Sequence, residues 1–289
     1  MIWLIGCNGM LGQQLKHELT RNNLEFIGTD FDVDITNPQI LSDFAKGKDI
    51  KWILNCSAYT AVDKAESDQE KAELINGVGV ENIATLAQTI GAKVIHFSTD
   101  YVFDGKLTGA YTPTDTPNPV SVYGKTKLSG EKYLQKECNS HFIIRIAWLY
   151  GVYGNNFVST MLRLFSERDS VGVVADQYGT PTYCGKLAEN IISLIQSNSD
   201  KYGIYHYTDE GKISWHEFAQ GIKAIAIRRG LDINNVVIKP IPTTDYPTPA
   251  ERPQNSFMDK SKVIKELGFE VLDWQKNLEV YFTESEHIL

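Results

Sequence analysis

The feature that most constrains the fold is the alternation of short apolar runs with longer amphipathic segments over the first 150 residues. Residues 2–6, 25–30, 52–58, 93–98 and 142–148 have the composition of strands, and residues 12–22, 37–46, 69–90 and 120–137 have that of helices. Strands that alternate with helices form βαβ units, whose strands run parallel and whose helices cover both faces of the sheet. The pattern therefore predicts an α/β fold built on a doubly wound parallel sheet.

The second half of the chain has a different rhythm. Helix-like segments at 155–168, 184–197, 215–229, 260–267 and 274–286 are separated by loops that carry proline and glycine, including a long one at 240–253. An irregular loop of this length inside a compact unit is often functional. We predict a first domain over residues 1–150 and a smaller, mostly helical lobe over residues 151–289, with some of its segments packed back on the first domain.

Composition argues against several classes of protein. The net charge is −8, whereas a protein that binds duplex nucleic acid needs a basic surface to displace counterions. The four cysteines are far apart and form neither a C-x-x-C pair nor a zinc pattern with histidine. No apolar stretch approaches the about 18 residues of a membrane span, and the apolar start lacks the cationic flank of a signal peptide. We therefore expect a cytoplasmic protein that binds neither nucleic acid nor membranes.

Three glycines connect the first predicted strand to the first predicted helix. Gly6, Gly9 and Gly12 follow a G-x-x-G-x-x-G spacing. Such a loop permits a tight turn, a close approach of the backbone to a pyrophosphate and close packing of the helix on the strand, with the anion at the helix N-terminus. Glycines at this spacing also occur in bare turns, but their position between a first strand and a first helix favours a Rossmann-like dinucleotide site.

A carboxylate ends the second predicted strand. Asp30 lies 18 residues beyond Gly12, near the spacing at which an acidic residue accepts a hydrogen bond from the 2′-hydroxyl of the adenosine ribose. The same carboxylate would repel a 2′-phosphate, and Phe31 and Asp32 supply no compensating cation. The sequence therefore favours NADH over NADPH as cofactor, the alternative being that Asp30 is only a turn residue.

Two further polar patterns are expected to face the same cleft. Ser98 and Thr99 leave the carboxyl end of the fourth predicted strand, where the ligands of parallel sheets bind. Tyr123 and Lys127 lie about one helical turn apart and so share a face. An ammonium about 4 Å from a phenol, at an effective dielectric constant of about 20, favours the phenolate by up to roughly 4 kcal/mol, with desolvation opposing part of this. We therefore expect Lys127 to lower the pKa of Tyr123 toward neutrality, although each pattern alone also fits a solvated loop or helix edge.

Together these motifs resemble the extended short-chain dehydrogenase/reductase superfamily. Within it, six blocks resemble the dTDP-4-dehydrorhamnose reductase family in collinear order: "NCSAYTAVDKAE" (55–66), "STDYVFDG" (98–105), "YGKTKLSGE" (123–131), "NNFVSTMLRL" (155–164), "DQYGTPT" (176–182) and "RPQNS" (252–256). The resemblance implies an NAD(P)H-dependent oxidoreductase of dTDP-rhamnose biosynthesis. Such an enzyme transfers a hydride from the nicotinamide to C4 of a dTDP-4-keto-6-deoxyhexose, here dTDP-4-dehydro-L-rhamnose, and forms dTDP-L-rhamnose.

The resemblance also implies roles for individual residues. Tyr123 would donate a proton to the developing alkoxide, Lys127 would tune it and bind the nicotinamide ribose, and Thr99 would bind the C4 oxygen. The substrate would also contact Asp100, Trp148, Asn155, Asn156 and Arg252. Besides Tyr123 and Lys127, the cofactor would contact Gly6, Gly9, Met10, Leu11, Gly12, Asp30, Asp34, Ile35, Ala58, Tyr59 and Thr60. The guanidinium of Arg252 suits a diphosphate, but it also fits an exposed surface residue, and Trp148 also fits a core position.

The first predicted helix bears on metal binding. Some members of the family form a magnesium-linked dimer through acidic residues, one of which lies early in this helix. Gln13 and Gln14 occupy that neighbourhood in this chain. We therefore expect no metal, and a monomer or a weak homodimer bound to a dTDP-sugar.

Two rival functions remain open at this point. A nucleotide-sugar 4-epimerase or dehydratase of the same superfamily would share the fold, but Tyr101 stands where a dehydratase carries a glutamate beside its aspartate. A non-catalytic regulatory relative would keep the fold to bind partners. The presence of Thr99, Tyr123 and Lys127 argues against the second rival, and an assay with added NAD(P)H separates a reductase from the first.

Overall fold

The first half of the chain alternates strands and helices. A computed structural model describes residues 1–233 and 235–285. In chain order the elements are β1 (Ile2–Ile5), α1 (Met10–Arg21), β2 (Phe26–Thr29), α2 (Pro38–Ala45), β3 (Trp52–Asn55), α3 (Val62–Ala65), α4 (Gln69–Glu73), a π-helical turn (Leu74–Val78), α5 (Gly79–Ile90), β4 (Lys93–Thr99), a 3₁₀ turn (Asp100–Val102), α6 (Val122–Glu137) and β5 (His141–Ile146). The five predicted strands are confirmed. The helix predicted over 69–90 is present but is divided by the π-helical turn.

The second half contains short strands between helices. Its elements are β6 (Leu149–Tyr150), α7 (Phe157–Glu167), β7 (Ser170–Val174), β8 (Tyr178–Gly179), β9 (Thr182–Tyr183), α8 (Cys184–Ser197), β10 (Gly203–His206), β11 (Ile213–Ser214), α9 (Trp215–Arg228), β12 (Val237–Ile241), a 3₁₀ turn (Thr243–Asp245), α10 (Ser261–Leu267) and α11 (Trp274–Ser285). The five predicted helices of this half are confirmed, except that residue 286 of the last prediction lies outside the described residues.

The central sheet has six parallel strands in the order β2-β1-β3-β4-β5-β10. The chain moves outward from β1 to β2 and then returns to β3 on the other side of β1. Ligands of such sheets bind outside the carboxyl ends of the strands, where the strand order reverses. The predicted doubly wound sheet is confirmed. Its sixth strand, β10, was not predicted because a four-residue segment that begins with glycine gives a weak strand signal.

Helices cover both faces of this sheet. Leu4 packs in a core with residues of α1 and α8, such as Leu15 and Ile191, all of them fully buried. Its neighbour Trp3 packs in a second core with residues of α2, α5 and α6, including Ile83. Successive side chains of a strand point to opposite faces, so one apolar strand supplies both cores. This explains why β1 and β3 appear in the sequence as nearly continuous apolar runs.

A third core lies in the second half of the chain, where α7, α9 and α11 pack together around Phe165, Phe218 and Leu278. Other segments of this half return to the first, since α8 packs against α1 and β10 completes the sheet beside β5. The predicted domain boundary near residue 150 stays a prediction. Among the residues described, no helix is both long and apolar enough to cross a membrane.

Candidate active site

The carboxyl ends of the central strands open into two adjoining cavities, of about 630 and 480 Å³, which share four residues as common walls. The larger cavity includes the predicted cofactor residues Gly6, Gly9, Asp30, Asp34, Ile35 and Ala58. The smaller cavity includes Gly9, Met10, Leu11, Gly12, Ala58, Thr60, Thr99, Asp100, Tyr123, Lys127, Trp148 and Asn155. The residues predicted for the dinucleotide and those predicted for the chemistry therefore meet in one cleft.

The glycine loop fits a bound pyrophosphate. Gly6 has φ +75°, and a Cβ there would lie 2.7 Å from the amide nitrogen of Ser57. A Cβ at Gly12 would lie 2.1 Å from the carbonyl oxygen of Gly6, so α1 can approach β1 this closely only without a side chain. No side chain caps the N-terminus of α1, which begins after Gly9. Its first-turn N–H groups and the positive end of its dipole are suited to an anion.

The loop after β2 fixes the carboxylate of Asp30 at the larger cavity. The amide of Asn8 donates to Asp30 Oδ2 at 2.9 Å, and the amide of Asp30 donates to Asp32 Oδ1 at 2.6 Å. Phe31 follows with its side chain almost fully exposed. The carboxylate is thus oriented by the glycine loop itself, in a position that suits hydrogen bonding to a ribose hydroxyl.

Tyr123 lies in the first turn of α6. Ser121 caps the helix by accepting from the amide of Gly124 at 3.1 Å, and Glu66 Oε1 accepts from the amide of Val122 at 2.8 Å. Burial raises the pKa of Tyr123 to about 12, the Asp100 carboxylate adds to the rise, and the Thr99 hydroxyl opposes it. At neutral pH the phenol is therefore protonated, which is the form required of a proton donor.

Lys127 does not act on Tyr123 as the sequence predicts. Its Nζ donates to the carbonyl oxygen of Phe97 at 2.7 Å and lies 3.4 Å from His96 Nε2. Burial lowers the pKa of Lys127 to about 8, with the Glu131 carboxylate opposing the shift. The predicted lowering of the Tyr123 pKa is wrong for this geometry, because burial dominates and raises it.

Thr99 and Asp100 form a short pair at the end of β4. Thr99 Oγ1 donates to Asp100 Oδ1 at 2.9 Å and accepts from the amide of Tyr101 at 3.2 Å. Asp100 Oδ2 is buried and has no hydrogen-bond partner among the described residues. Burial raises the pKa of Asp100 to about 6, opposed by the hydroxyls of Ser256 and Thr99. Asp100 is among the residues that line the smaller cavity, so its carboxyl group is placed near a hydroxyl of a bound molecule.

Behind Lys127 lies a polar pair that the sequence analysis missed. The amide of Ser57 donates to Asn55 Oδ1 at 3.1 Å, which fixes the orientation of the Asn55 side chain. Asn55 Nδ2 therefore donates to His96 Nδ1, 3.0 Å away. Burial lowers the pKa of His96 well below its usual value, with the charge of Lys127 adding to the shift. A neutral His96 whose Nδ1 accepts carries its proton on Nε2, so it offers Lys127 no acceptor and leaves the Phe97 carbonyl as the partner of the ammonium.

Ser98 lines the smaller cavity as the sequence predicts, but its buried partners Glu131 and Arg145 were not predicted. Ser98 Oγ donates to Glu131 Oε1 at 2.5 Å, and Arg145 donates to the two oxygens of Glu131 at 2.9 and 2.6 Å. The side chains of Arg145 and Glu131 are only 2% and 0% exposed. Ser98 and Arg145 are register partners on β4 and β5. Glu131 therefore ties α6 to β5 through this buried ion pair and to β4, the strand that carries Thr99, through Ser98.

Three predicted residues do not line either cavity. Tyr59 donates its hydroxyl to Asp68 at 3.0 Å. Asn156 caps α7 by accepting from two backbone amides, at 3.0 and 3.2 Å. Arg252 forms a bidentate ion pair with Asp63, with both contacts at 2.7 Å. Their assignment to cofactor or substrate stays a prediction.

The fold and the cleft define the class of protein: the chain is an NAD(P)H-dependent oxidoreductase with the Rossmann-like fold of the extended short-chain dehydrogenase/reductase superfamily. The family model described as "RmlD substrate binding domain" matches residues 1–287. The chain belongs to the dTDP-4-dehydrorhamnose reductase family, which confirms the resemblance seen in its motifs.

Individual relatives cover nearly the whole chain. A dTDP-4-dehydrorhamnose reductase of Aggregatibacter actinomycetemcomitans is 41% identical over 287 residues, which is 96% of this chain and 98% of the relative. The crystal structure of a dTDP-4-dehydrorhamnose reductase from Clostridium acetobutylicum superimposes with a TM-score of 0.93 at 38% identity, covering 99% of both chains. A dTDP-4-dehydrorhamnose reductase from Bacillus anthracis in complex with NADP gives a TM-score of 0.92 at 38% identity, covering 98% of both chains. These matches show that the similarity to dTDP-4-dehydrorhamnose reductases covers nearly the whole chain.

Proposed function

We propose that this protein reduces the C4 ketone of a dTDP-4-keto-6-deoxyhexose with NADH or NADPH, and that its substrate is dTDP-4-dehydro-L-rhamnose, giving dTDP-L-rhamnose. The observation that carries the proposal is the smaller cavity, in which Thr99, Tyr123, Lys127 and Trp148 meet beside the start of α1. A ketone reductase needs a proton donor and a second hydrogen-bond donor to the carbonyl oxygen, both next to a nicotinamide. This cavity supplies both, and it is continuous with the walls of the dinucleotide site.

The chemistry divides between the cofactor and the chain. A bound nicotinamide dinucleotide supplies the hydride. Tyr123 donates its proton to the oxygen as negative charge develops there, a role for which its high pKa keeps the phenol protonated. Thr99 orients the same oxygen through its hydroxyl. Lys127 lines the same cavity and donates to the Phe97 carbonyl, so we assign it to binding the nicotinamide ribose and to supplying positive charge to the site in which the phenolate forms, and not to lowering the pKa of Tyr123 beforehand.

The proposal also assigns the two halves of the chain. Residues 1–150 hold the cofactor, and the segments after residue 150 mainly hold the sugar nucleotide, with Trp148 and Asn155 at their junction. Asp30 supports NADH as the preferred cofactor, because its carboxylate would repel a 2′-phosphate. The Bacillus anthracis relative binds NADP, so the preference requires a direct measurement with both cofactors.

Oxidation of NADH and NADPH in the presence of dTDP-4-dehydro-L-rhamnose tests the proposal. Tyr123→Phe removes the proton donor, and we expect kcat to fall by about 10²–10⁴-fold with the affinity for NADH largely unchanged. Tyr133→Phe is the matched control, since Tyr133 lies on the same helix but lines neither cavity. Near-normal turnover of Tyr123→Phe would exclude Tyr123 as the acid.

The rival functions give other outcomes in the same assay. A 4-epimerase would interconvert nucleotide sugars without net oxidation of added NADH, and a dehydratase would convert a dTDP-hexose to its 4-keto-6-deoxy form. A regulatory relative would bind the cofactor and oxidise neither NADH nor NADPH. Folded protein that holds the cofactor but shows no oxidation with this substrate would refute the proposed reaction.

A further inference from the structure

Trp148 has a strained backbone in the smaller cavity. It follows β5 and lines the cavity together with Tyr123 and Thr99. Its φ is +47°, in the left-handed region that residues with a Cβ rarely adopt. Such a conformation persists only where surrounding groups hold it, and it is often found at ligand-binding positions. Neighbouring groups must therefore hold the backbone of Trp148 in this conformation.

Two residues from distant parts of the chain fix the indole ring of Trp148. The ring stacks on that of Trp215, with centroids 3.7 Å apart and planes inclined by 16°. Gly179 lies so close to the ring that a Cβ there would be 2.9 Å from both Cε2 and Cζ2 of Trp148. The ring is thus held by two contacts while Trp148 also lines the smaller cavity, unlike a residue that only fills space in the core.

The backbone around Trp148 is fixed by the same region. Thr182 Oγ1 donates to the carbonyl oxygen of Ala147 at 2.6 Å, and the amide of Thr182 donates to the carbonyl oxygen of Trp148 at 3.2 Å. Gly179 and Thr182 both belong to "DQYGTPT" (176–182), one of the six blocks that carry the family resemblance. The motif therefore holds Trp148 through both its backbone and its ring.

Gly179 and Trp215 are themselves positioned by one small sheet. β8, which contains Gly179, pairs antiparallel with β11, which ends immediately before Trp215. Ser214 begins α9 through a capping box with Glu217, in which each residue binds the other's backbone amide. The carbonyl oxygen of Tyr178 accepts from the amide of Ser256 at 2.7 Å, which adds the motif "RPQNS" to the same support. Both contacts to the indole thus come from one hydrogen-bonded pair of strands and the helix that follows it.

We propose that Gly179 and Trp215 are positioning residues that set the specificity for the sugar, by holding the indole of Trp148 flat against the hexose ring of a nucleoside diphosphate sugar. The identity of the ligand rests on the proposed function. The positioning itself rests on the φ of Trp148, the indole stack and the close approach of Gly179. Aromatic faces provide apolar area with a fixed orientation, and a displacement of about 1 Å in a group that orients the substrate can cost on the order of a hundredfold in rate.

Gly179→Ala is the direct test. The added Cβ cannot remain 2.9 Å from the indole, so the ring must shift. We expect KM for the sugar nucleotide to rise by at least about tenfold, as for a misplaced orienting group, with kcat reduced less and the affinity for NADH unchanged. Gly109→Ala is the matched control, because a Cβ there meets no atom within 4 Å.

Trp215→Ala and Trp215→Phe provide a second test that does not depend on Gly179. Trp215→Ala should raise KM as Gly179→Ala does, and Trp215→Phe should restore most of the wild-type value because a phenyl ring can still stack on Trp148. Calorimetric titration separates the sugar from the rest of the ligand: both KM-raising variants should bind dTDP-L-rhamnose at least about tenfold more weakly than the wild type, and dTDP with wild-type affinity.

The outcomes separate this inference from the proposed function. If the wild type binds dTDP-L-rhamnose but does not reduce the 4-keto sugar, the proposed reaction fails while selective loss of sugar affinity in Gly179→Ala still supports the positioning role. If the wild type is an active reductase and Gly179→Ala keeps its KM, the positioning role is refuted. Equal loss of dTDP and dTDP-L-rhamnose affinity would also refute it, because the damage would then extend beyond the sugar.

Discussion

Lys127 should stabilise the transition state of the reaction but lower the free energy of unfolding of the protein. Its pKa is lowered by burial from 10.5 to about 8, and each unit of pKa corresponds to about 1.4 kcal/mol. The folded state therefore loses about 3 kcal/mol for holding the ammonium at neutral pH. Lys127→Met removes this cost but leaves the carbonyl oxygen of Phe97 without a donor, at a cost of about 1–3 kcal/mol. We expect the variant to be inactive and yet as stable as the wild type at pH 7, or more stable by up to about 2 kcal/mol.

The pH dependence of this difference is the sharper measurement. Between pH 8 and pH 10.5 the unfolded chain keeps a proton on Lys127 that the folded chain has lost, so the unfolding free energy of the wild type rises with pH in this window. Below pH 8 both states hold the proton and the cost is constant. The variant has no such group. Its stability relative to the wild type should therefore fall by about 3 kcal/mol from pH 8 to pH 10.5.

Urea unfolding of both proteins at half-unit steps from pH 7 to pH 10.5 measures the difference, in which the titration of groups common to both proteins largely cancels. Lys125→Met is the control, because Lys125 is exposed on the same helix and its removal should leave both stability and activity close to the wild type. A difference between Lys127→Met and the wild type that stays flat over this range, or that grows in favour of the variant, would refute the assignment of a buried, destabilised ammonium.

Two further predictions concern the buried ion pair and the cofactor. Arg145→Met should lower the unfolding free energy by about 3–5 kcal/mol, because it leaves the buried Glu131 carboxylate unpaired. Arg163→Met is the control and should change it by less than about 1 kcal/mol, since the Arg163–Glu167 pair is exposed. Equal effects of the two substitutions in urea unfolding would contradict this prediction. Asp30→Ala should raise the ratio of kcat/KM for NADPH to that for NADH by about tenfold or more, the effect of removing one nearby like charge, and an unchanged ratio would show that Asp30 does not select the cofactor.

The sequence predicts most of the sheet because its four central strands, β1, β3, β4 and β5, are buried on both faces. β1 contributes Leu4 to one core and Trp3 to the other, and such a strand is apolar throughout. β10 and the π-helical turn have no comparable signal: the first is only four residues long, and the second lies within a segment whose apolar spacing fits a continuous helix. Long-range packing decides both.

The candidate site likewise contains some residues that the sequence predicts and others that it does not. Gly6, Gly12 and Tyr123 follow from local patterns, because a phosphate loop and a helical turn are set by neighbours in the sequence. Asn55 and His96 do not, since they become partners only through the parallel register of β3 and β4. The available signal was a single polar residue within each of two otherwise apolar runs, Asn55 in "WILN" and His96 in "VIHF".

The predicted lowering of the Tyr123 pKa was wrong for a related reason. The four-residue spacing correctly places Tyr123 and Lys127 in one cavity, but it carries no information on how deeply either group is buried or where the ammonium points. Desolvation raises the pKa of a phenol and lowers that of an ammonium, and here it shifts both groups in those directions. The sign of the shift was thus decided by depth, which spacing alone does not report.

The energetically unfavourable features of this structure lie in the cleft, and residues outside the cleft hold them in place. Lys127 is buried, Asp100 has an oxygen without a partner among the described residues, and Trp148 has a left-handed backbone. None of the three would keep its place as an isolated side chain, and each depends on groups farther from the cavity, such as the Phe97 carbonyl for Lys127 and Gly179 for Trp148. Substitutions in this outer layer should therefore alter KM, pH dependence or specificity before they abolish the fold, whereas loss of the Arg145–Glu131 pair beneath it acts first on stability.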